Sequence, residues 1–382
     1  MTPQRHESTQ ICRGKGFAFA SAIADFSLTE DYFAEGDFFD RFTFWDSRDP
    51  THGFVQYQAR ENAQGWLIDS TATKARMRVD SDSFASQGRA SVRITSRSSY
   101  QFGLFIVDIE HMPGGICGTW PAFWMVGPDW PTHGEIDIVE GVNTQETNAM
   151  TLHTGPGCST DTGQSAYNGS LALTDCSSWP ESNEGCQIAA RDTMTYGGRF
   201  NDIGGGIYAT WWTSTAISVY FFPRHVIPPD VREGSPDPQL WGSPLAQFRG
   251  DCDMSTSFRD LQMVFDTTFC GDWAGADWVG GQCASRTGQT CEEYVEQNPN
   301  AFTEAYWSIR GLKVYHEVAG VANSSAGTPS QSNAGTGTRV SARRSTGAEI
   351  TNSSSISLPS STSAPYSSTV NSSSAFSSSS CH

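Results

Sequence analysis

Apolar and polar residues alternate over short runs along most of this chain, and Gly, Pro and Asn separate the runs. A two-residue period puts successive side chains on opposite faces of a strand, so residues 90–95, 103–109, 217–222, 261–265 and 308–315 are each expected as strands. No segment carries the period of a long amphipathic helix, and residues 292–298 with their flanks suit only a short one. Many strands without alternating helices predict an all-β fold, a large antiparallel sandwich filling one domain over residues 25–318.

One run departs from simple alternation. In His133-Gly134-Glu135-Ile136-Asp137-Ile138-Val139-Glu140-Gly141, three carboxylates fall within six residues, separated only by aliphatic side chains. Glu135 and Asp137 share one face of a strand, but Glu140, five positions after Glu135, has the parity of the core face. A β-bulge between Asp137 and Glu140 absorbs one residue and returns Glu140 to the acidic face.

Composition supports the β reading and narrows the partners. Gly, Trp and Phe are abundant while charged residues make up only 17%, as a loop-rich, aromatic β-domain requires. A formal charge of −17 argues against nucleic acid or an anionic membrane as partner, and suits a neutral ligand and a monomer in an acidic extracellular setting. No run approaches the length of a membrane span.

Eight of the ten cysteines lie between Cys117 and Cys291 without zinc-site spacing, so they read as disulfides formed in an oxidising compartment; their connectivity is open. Secretion is therefore expected, and residues 1–24, ending in Ala22-Ile23-Ala24, are the candidate signal segment, which would carry Cys12 away. Residues 319–382 are Ser- and Thr-rich, predicting a disordered, O-glycosylated tail with Cys381 as a free or intermolecular thiol. Asn168, Asn323, Asn352 and Asn371 lie in N-x-S sequons.

The acid row has three readings: catalytic carboxyls, a divalent-cation site, or a solvated strand edge. Retaining glycosidases need two carboxyl groups about 5–5.5 Å apart, one as nucleophile and one as acid then base. Glu135 and Glu140 on one face suit that pair, with Asp137 between them to raise the pKa of the acid. Trp120, Trp124 and Trp130 lie just upstream, and indoles stack on the C–H faces of sugar rings; Trp124 is the one expected nearer the core.

His153, one hairpin later, is placed to hydrogen-bond Asp137 or the acid, or else is an ordinary strand histidine. Trp273 and Trp278 fall in a Gly-rich segment, residues 270–281, that reads as a loop. Asp108 and Glu110 read as a solvated face. No nucleotide, nucleophilic-serine or zinc-protease motif occurs, and no cofactor is expected; a structural calcium ion has no loop to mark it.

The segment Gly134-Glu135-Ile136-Asp137-Ile138-Val139-Glu140 resembles the E-x-D-x-x-E signature of glycoside hydrolase family 16. The runs at residues 49–57 (DPTHGFVQY), 118–124 (GTWPAFW), 150–158 (MTLHTGPGC) and 264–275 (VFDTTFCGDWAG) are similar to its fungal endo-1,3(4)-β-glucanase and laminarinase branch, over about residues 25–315. The resemblance implies a curved jelly-roll with a sugar cleft across its concave sheet. It also implies Glu135 as nucleophile, Glu140 as acid/base and Asp137 as their assistant, acting on a β-glucan polysaccharide. A transglycosylase of the same chemistry and a lectin-like glucan binder are the alternatives. Trp211 stands where many relatives carry an acid, which puts the subsite contacts in question.

Overall fold

The computed structural model describes residues 25–161, 166–179 and 183–318. The candidate signal segment with Cys12, and the tail with Asn323, Asn352, Asn371 and Cys381, lie outside the described residues.

Two eight-stranded sheets dominate, and every pairing within them is antiparallel; the parallel pair Val55–Tyr57 with Arg89–Ser91 stands apart as a small third sheet. The first sheet runs, in spatial order, Ser170–Leu173, Cys186–Ala189, Ala149–His153, Glu135–Glu140, Thr119–Val126, Gln262–Phe269, Ile94–Ser96 and Phe42–Phe44. The second is centred on Gly206–Trp212, Gly103–His111 and Tyr306–Val318. The expected strands are all present, except that residues 90–95 divide into Arg89–Ser91 and Ile94–Ser96, which pair in different sheets.

Between the sheets lies one apolar core. The first sheet contributes Phe123, Met125, Ile136, Ile138, Val139, Met150, Leu152, Met263 and Phe265, and the second Phe105, Val107, Tyr208, Trp212, Val219, Leu312 and Val314. Phe123 stacks on Phe265 at 4.2 Å between centroids, a cross-strand aromatic pair that fixes the register of Thr119–Val126 against Gln262–Phe269.

The second sheet is apolar on its outer face as well. Leu104, Ile106, Ile207, Ala209, Tyr220 and Tyr315 form a satellite cluster with Ile227 and Trp241 from the segment that follows Ile217–Pro223. That double burial explains why Leu104 to Val107 is one continuous apolar run instead of an alternating one. Farther along the same strand, Asp108 and Glu110 are half-buried and ion-paired, Asp108 with Arg224 at 2.6 Å and Glu110 with Arg310 at 3.2 Å.

All eight cysteines of the folded region pair: Cys117–Cys283, Cys158–Cys252, Cys176–Cys186 and Cys270–Cys291. Two of them tie residues 276–302 to neighbouring strands, Cys117–Cys283 just before Thr119–Val126 and Cys270–Cys291 just after Gln262–Phe269. The short helix expected near residues 292–298 is Cys291–Gln297, started by a Thr290/Glu293 capping box. Residues 271–278, expected as a loop, form two consecutive helical turns instead. Gly-rich sequence lacks a helical period, and here the two disulfides supply the order that composition does not.

Candidate active site

The acid strand carries the bulge its parity required. Opposite Ala149–His153, Asp137 pairs with Thr151 and Glu140 with Ala149, so three steps on one strand match two on the other. Ile138 and Val139 are both fully buried, and Glu135, Asp137 and Glu140 share the opposite face.

That face is the floor of a cleft of about 780 Å³, lined by Glu135 and Glu140 together with Trp120, Trp124, Trp130, Trp273, Asp49, Arg93, His153, Asp266 and Gln187. Its volume lies within the range of small-molecule and sugar sites.

Each acid has an indole or imidazole partner. The Trp120 Nε1–H donates to Glu140 Oε1 at 2.8 Å, and the Trp130 Nε1–H donates to Glu135 Oε2. His153 Nε2 lies 3.3 Å from Asp137 Oδ2, while its Nδ1 bonds Ser178 Oγ at 2.9 Å. Of the seven residues expected at the site, Glu135, Glu140, Trp120, Trp124, Trp130 and His153 line the cleft, and Asp137 is buried beside His153. Trp124, placed nearer the core by sequence, is half-buried in the cleft wall, its Nε1–H 3.3 Å from Asp266 Oδ2 and the Arg93 guanidinium 4.9 Å from its ring. Trp120 and Trp124 are four positions apart on a regular strand and so share the cleft face.

Trp273, Asp266 and Arg93 are among the cleft residues that escaped the sequence reading. Trp273 packs edge-on to Trp120 at 5.7 Å from inside the Gly-rich segment. Asp266 follows Val264-Phe265 in a buried strand, the same acid-among-aliphatics signal as the acid row, weakened because it stands alone. Arg93 bridges Trp45 and Trp124 and sits 3.9 Å from Asp266. Trp278, by contrast, is core: it is buried and its indole N–H bonds Gln289 O at 2.9 Å.

Trp211 belongs to the other sheet. It pairs with Leu104 and Ser218, packs on Phe26 at 6.2 Å, and lines the satellite cluster instead of the cleft. The departure at this position therefore leaves the subsites untouched, correcting the expectation from sequence.

Burial raises every acid in the row. Desolvation, then the Asp137 charge, pushes the Glu135 carboxyl up to about 8. Glu140 is pushed well above the usual range, again by burial first and Asp137 second, against the Trp120 hydrogen bond. Asp137 is raised by burial while its hydrogen bond with Glu135 opposes the rise. Asp266 is pushed up to about 7 by burial, with Arg93 opposing.

A carboxyl raised in the folded state binds protons between its unfolded and folded values that the unfolded chain does not, so its contribution to stability is full below about 4.5 and declines as the pH rises towards 8. Glu135→Gln removes that penalty. It is expected to raise the melting temperature at pH 7 by roughly 2–6 °C, about 1–2 kcal/mol. The gain should vanish by pH 4 in calorimetric scans; an equal gain at both pH values would remove the ionisable carboxyl as its source.

Glu135, Asp137 and His153 also bring one donor atom each within 4.8 Å of one another. Two carboxylates and an imidazole fall short of the six to eight oxygens that calcium takes.

Comparison with known proteins accords with this geometry. A family described as the XgeA-like catalytic domain of glycoside hydrolase family 16 matches residues 42–315. An endo-1,3(4)-β-glucanase of Arthroderma benhamiae is 41% identical over 317 residues, 80% of this chain and 69% of that protein. A probable endo-1,3(4)-β-glucanase of Aspergillus fumigatus is 41% identical over 85% of this chain and 51% of its own length; the chain thus spans about half of several such relatives.

Among solved structures, laminarinase 16A of Phanerochaete chrysosporium, with 6-O-glucosyl-laminaritriose in donor and acceptor sites, aligns with a TM-score of 0.72 at 37% identity, covering 77% of this chain and all of that one. An elongating family 16 β-1,3-glucosyltransferase aligns with a TM-score of 0.70 at 41% identity, over 76% of this chain and all of that one. With a family domain matched over most of its length and relatives above 40% identity, the chain belongs to glycoside hydrolase family 16.

Proposed function

We propose that residues 25–318 form a secreted, retaining endo-β-glucanase that cleaves internal bonds of β-1,3- or mixed β-1,3/1,4-glucans. The observation that carries this is the bulged strand, which sets three carboxyls on the floor of a Trp-lined cleft with an indole N–H on Glu135 and another on Glu140. In this reading the Glu135 carboxylate attacks the anomeric carbon, the glycosidic C–O bond breaks, and the Glu140 proton passes to the leaving oxygen. Water then attacks the glycosyl ester, Glu140 takes its proton, and Glu135 leaves as carboxylate.

Proton placement supports the division of roles. Burial holds Glu140 protonated well above the usual carboxyl range, as a donor should be. Glu135 accepts the Trp130 N–H, which favours the carboxylate that attacks, while its hydrogen bond with Asp137 acts the other way, raising Glu135 and lowering Asp137. His153 orients Asp137, and Trp120, Trp124 and Trp130 supply the stacking faces. Four disulfides suit an oxidising, extracellular setting.

A second reading has a specific observation behind it: the relative described as an elongating β-1,3-glucosyltransferase is 41% identical and wholly covered. An acceptor sugar hydroxyl in place of water, deprotonated by Glu140, gives elongation with no change of residues. Product profiles on laminarin, lichenan and cellulose test both. Short oligosaccharides with new reducing ends from laminarin or lichenan are expected. Products longer than a defined oligosaccharide donor would assign elongation, and binding of laminarin without bond cleavage would leave only a lectin.

A further inference from the structure

The bulge that places Glu140 in the cleft has a structural cost, and one side chain meets it. An extra residue in a strand removes local ladder hydrogen bonds, leaving backbone groups that must find partners when buried. Here the two affected groups are the Glu140 N–H and the Ile138 carbonyl. Both are satisfied by the carboxamide of Asn148: the Glu140 N–H donates to its Oδ1 at 2.9 Å, and its Nδ2 donates to Ile138 O at 2.7 Å.

Asn148 is fully buried, so water cannot replace it. Only an amide offers a donor and an acceptor side by side in one neutral group at neutral pH. Its own backbone is held from the other side, the N–H by Thr195 Oγ1 at 3.2 Å and the carbonyl by Ala190 N at 2.8 Å.

The alternative the clamp excludes is specific. Slipping the bulge out of the strand would restore regular alternation, turning Val139 to the cleft and the Glu140 carboxyl towards the core. We propose that Asn148 is the positioning residue for Glu140, clamping the bulge so that the acid/base presents its carboxyl to the cleft. This rests on the acid/base role proposed for Glu140. Asn148 touches no substrate; it acts through the backbone on either side of the bulge.

The test is steady-state kinetics on laminarin between pH 4.5 and 7 with the full chain, with circular dichroism at each pH to follow the folded fraction. Asn148→Ala is expected to lower kcat by about 10²-fold with KM nearly unchanged, the usual effect of misplacing a reacting group. Asn148→Asp gives the diagnostic signature. As a carboxylate it accepts but cannot donate, whereas a protonated carboxyl has one O–H donor and one C=O acceptor and restores both bonds. Its kcat relative to the parent chain should therefore rise about tenfold on acidification from pH 7 to 4.5, a window that burial of the carboxyl makes reachable.

A ratio that stays flat with pH, or losses that merely follow the folded fraction, would overturn the proposal. Should Asn148→Ala fail to fold, Thr195→Val removes the acceptor of the Asn148 N–H together with the bond from the Thr195 hydroxyl to Asp192 O at 2.6 Å. It is then expected to lower kcat about fivefold at constant KM, and full activity there would count equally against the clamp. Glu140→Ala in the same series separates the two possible failures. If it keeps turnover, the role of Glu140 falls and the clamp with it; if it is inactive while the Asn148 variants keep kcat, the clamp alone falls.

Discussion

Glu135→Gln is expected to lower turnover on laminarin by at least about 10⁴-fold while glucan binding changes little, because the variant keeps the side-chain shape but loses the nucleophile. The Trp130 indole that donates to Glu135 Oε2 can still donate to an amide oxygen. The cleft should therefore keep its aromatic walls, so KM or binding affinity is the internal control. Glu135→Ala extends the test by opening space beneath the anomeric carbon. Azide admitted there with an activated aryl β-glucoside should attack from the vacated side and give the α-glucosyl azide. A near-normal rate for Glu135→Gln, or a β-azide from Glu135→Ala, would take the nucleophile role away from Glu135.

The sequence made the acid strand legible because its residues broke two rules at once. Carboxylates stood among Ile and Val, and Glu140 had the wrong parity for its neighbours, so a bulge could be placed between Asp137 and Glu140 before any register was known. His153 was reachable by the same counting, one hairpin away on the neighbouring strand.

Other parts were illegible for physical reasons. Trp211 was tied to the subsites only through the acid that many relatives carry there, and a strand buried on both faces gives no alternation against which to check its side. Trp273 was hidden in a segment whose helical turns depend on disulfides that bring together residues 117 and 283, and 270 and 291. Asn148 carried no signal at all: an isolated Asn becomes informative only when the ladder shows which backbone groups the bulge has freed.

Glu140→Ala should separate substrates by leaving group, because the role assigned to Glu140 is proton donation to the departing oxygen. General acid catalysis supplies about 10²–10⁴-fold, so kcat on laminarin, whose leaving sugar alkoxide is strongly basic, is expected to fall by that order. Cleavage of an aryl β-glucoside with an acidic phenol needs little protonation, and the burst of phenol release should be nearly preserved while the glycosyl-enzyme accumulates. Azide should then relieve the second step and yield the β-glucosyl azide, the opposite anomer from the Glu135 variant.

The pH profile offers an independent readout. Burial and the Asp137 charge hold Glu140 protonated well above the ordinary carboxyl range, so the alkaline fall of kcat/KM in the parent chain should reflect its deprotonation. That limb should disappear in Glu140→Ala with the activated substrate. Equal losses on both substrates with the alkaline limb intact would show that the proton comes from another group. Asp137 is then the next candidate, since it is buried beside Glu135 and also raised by its surroundings.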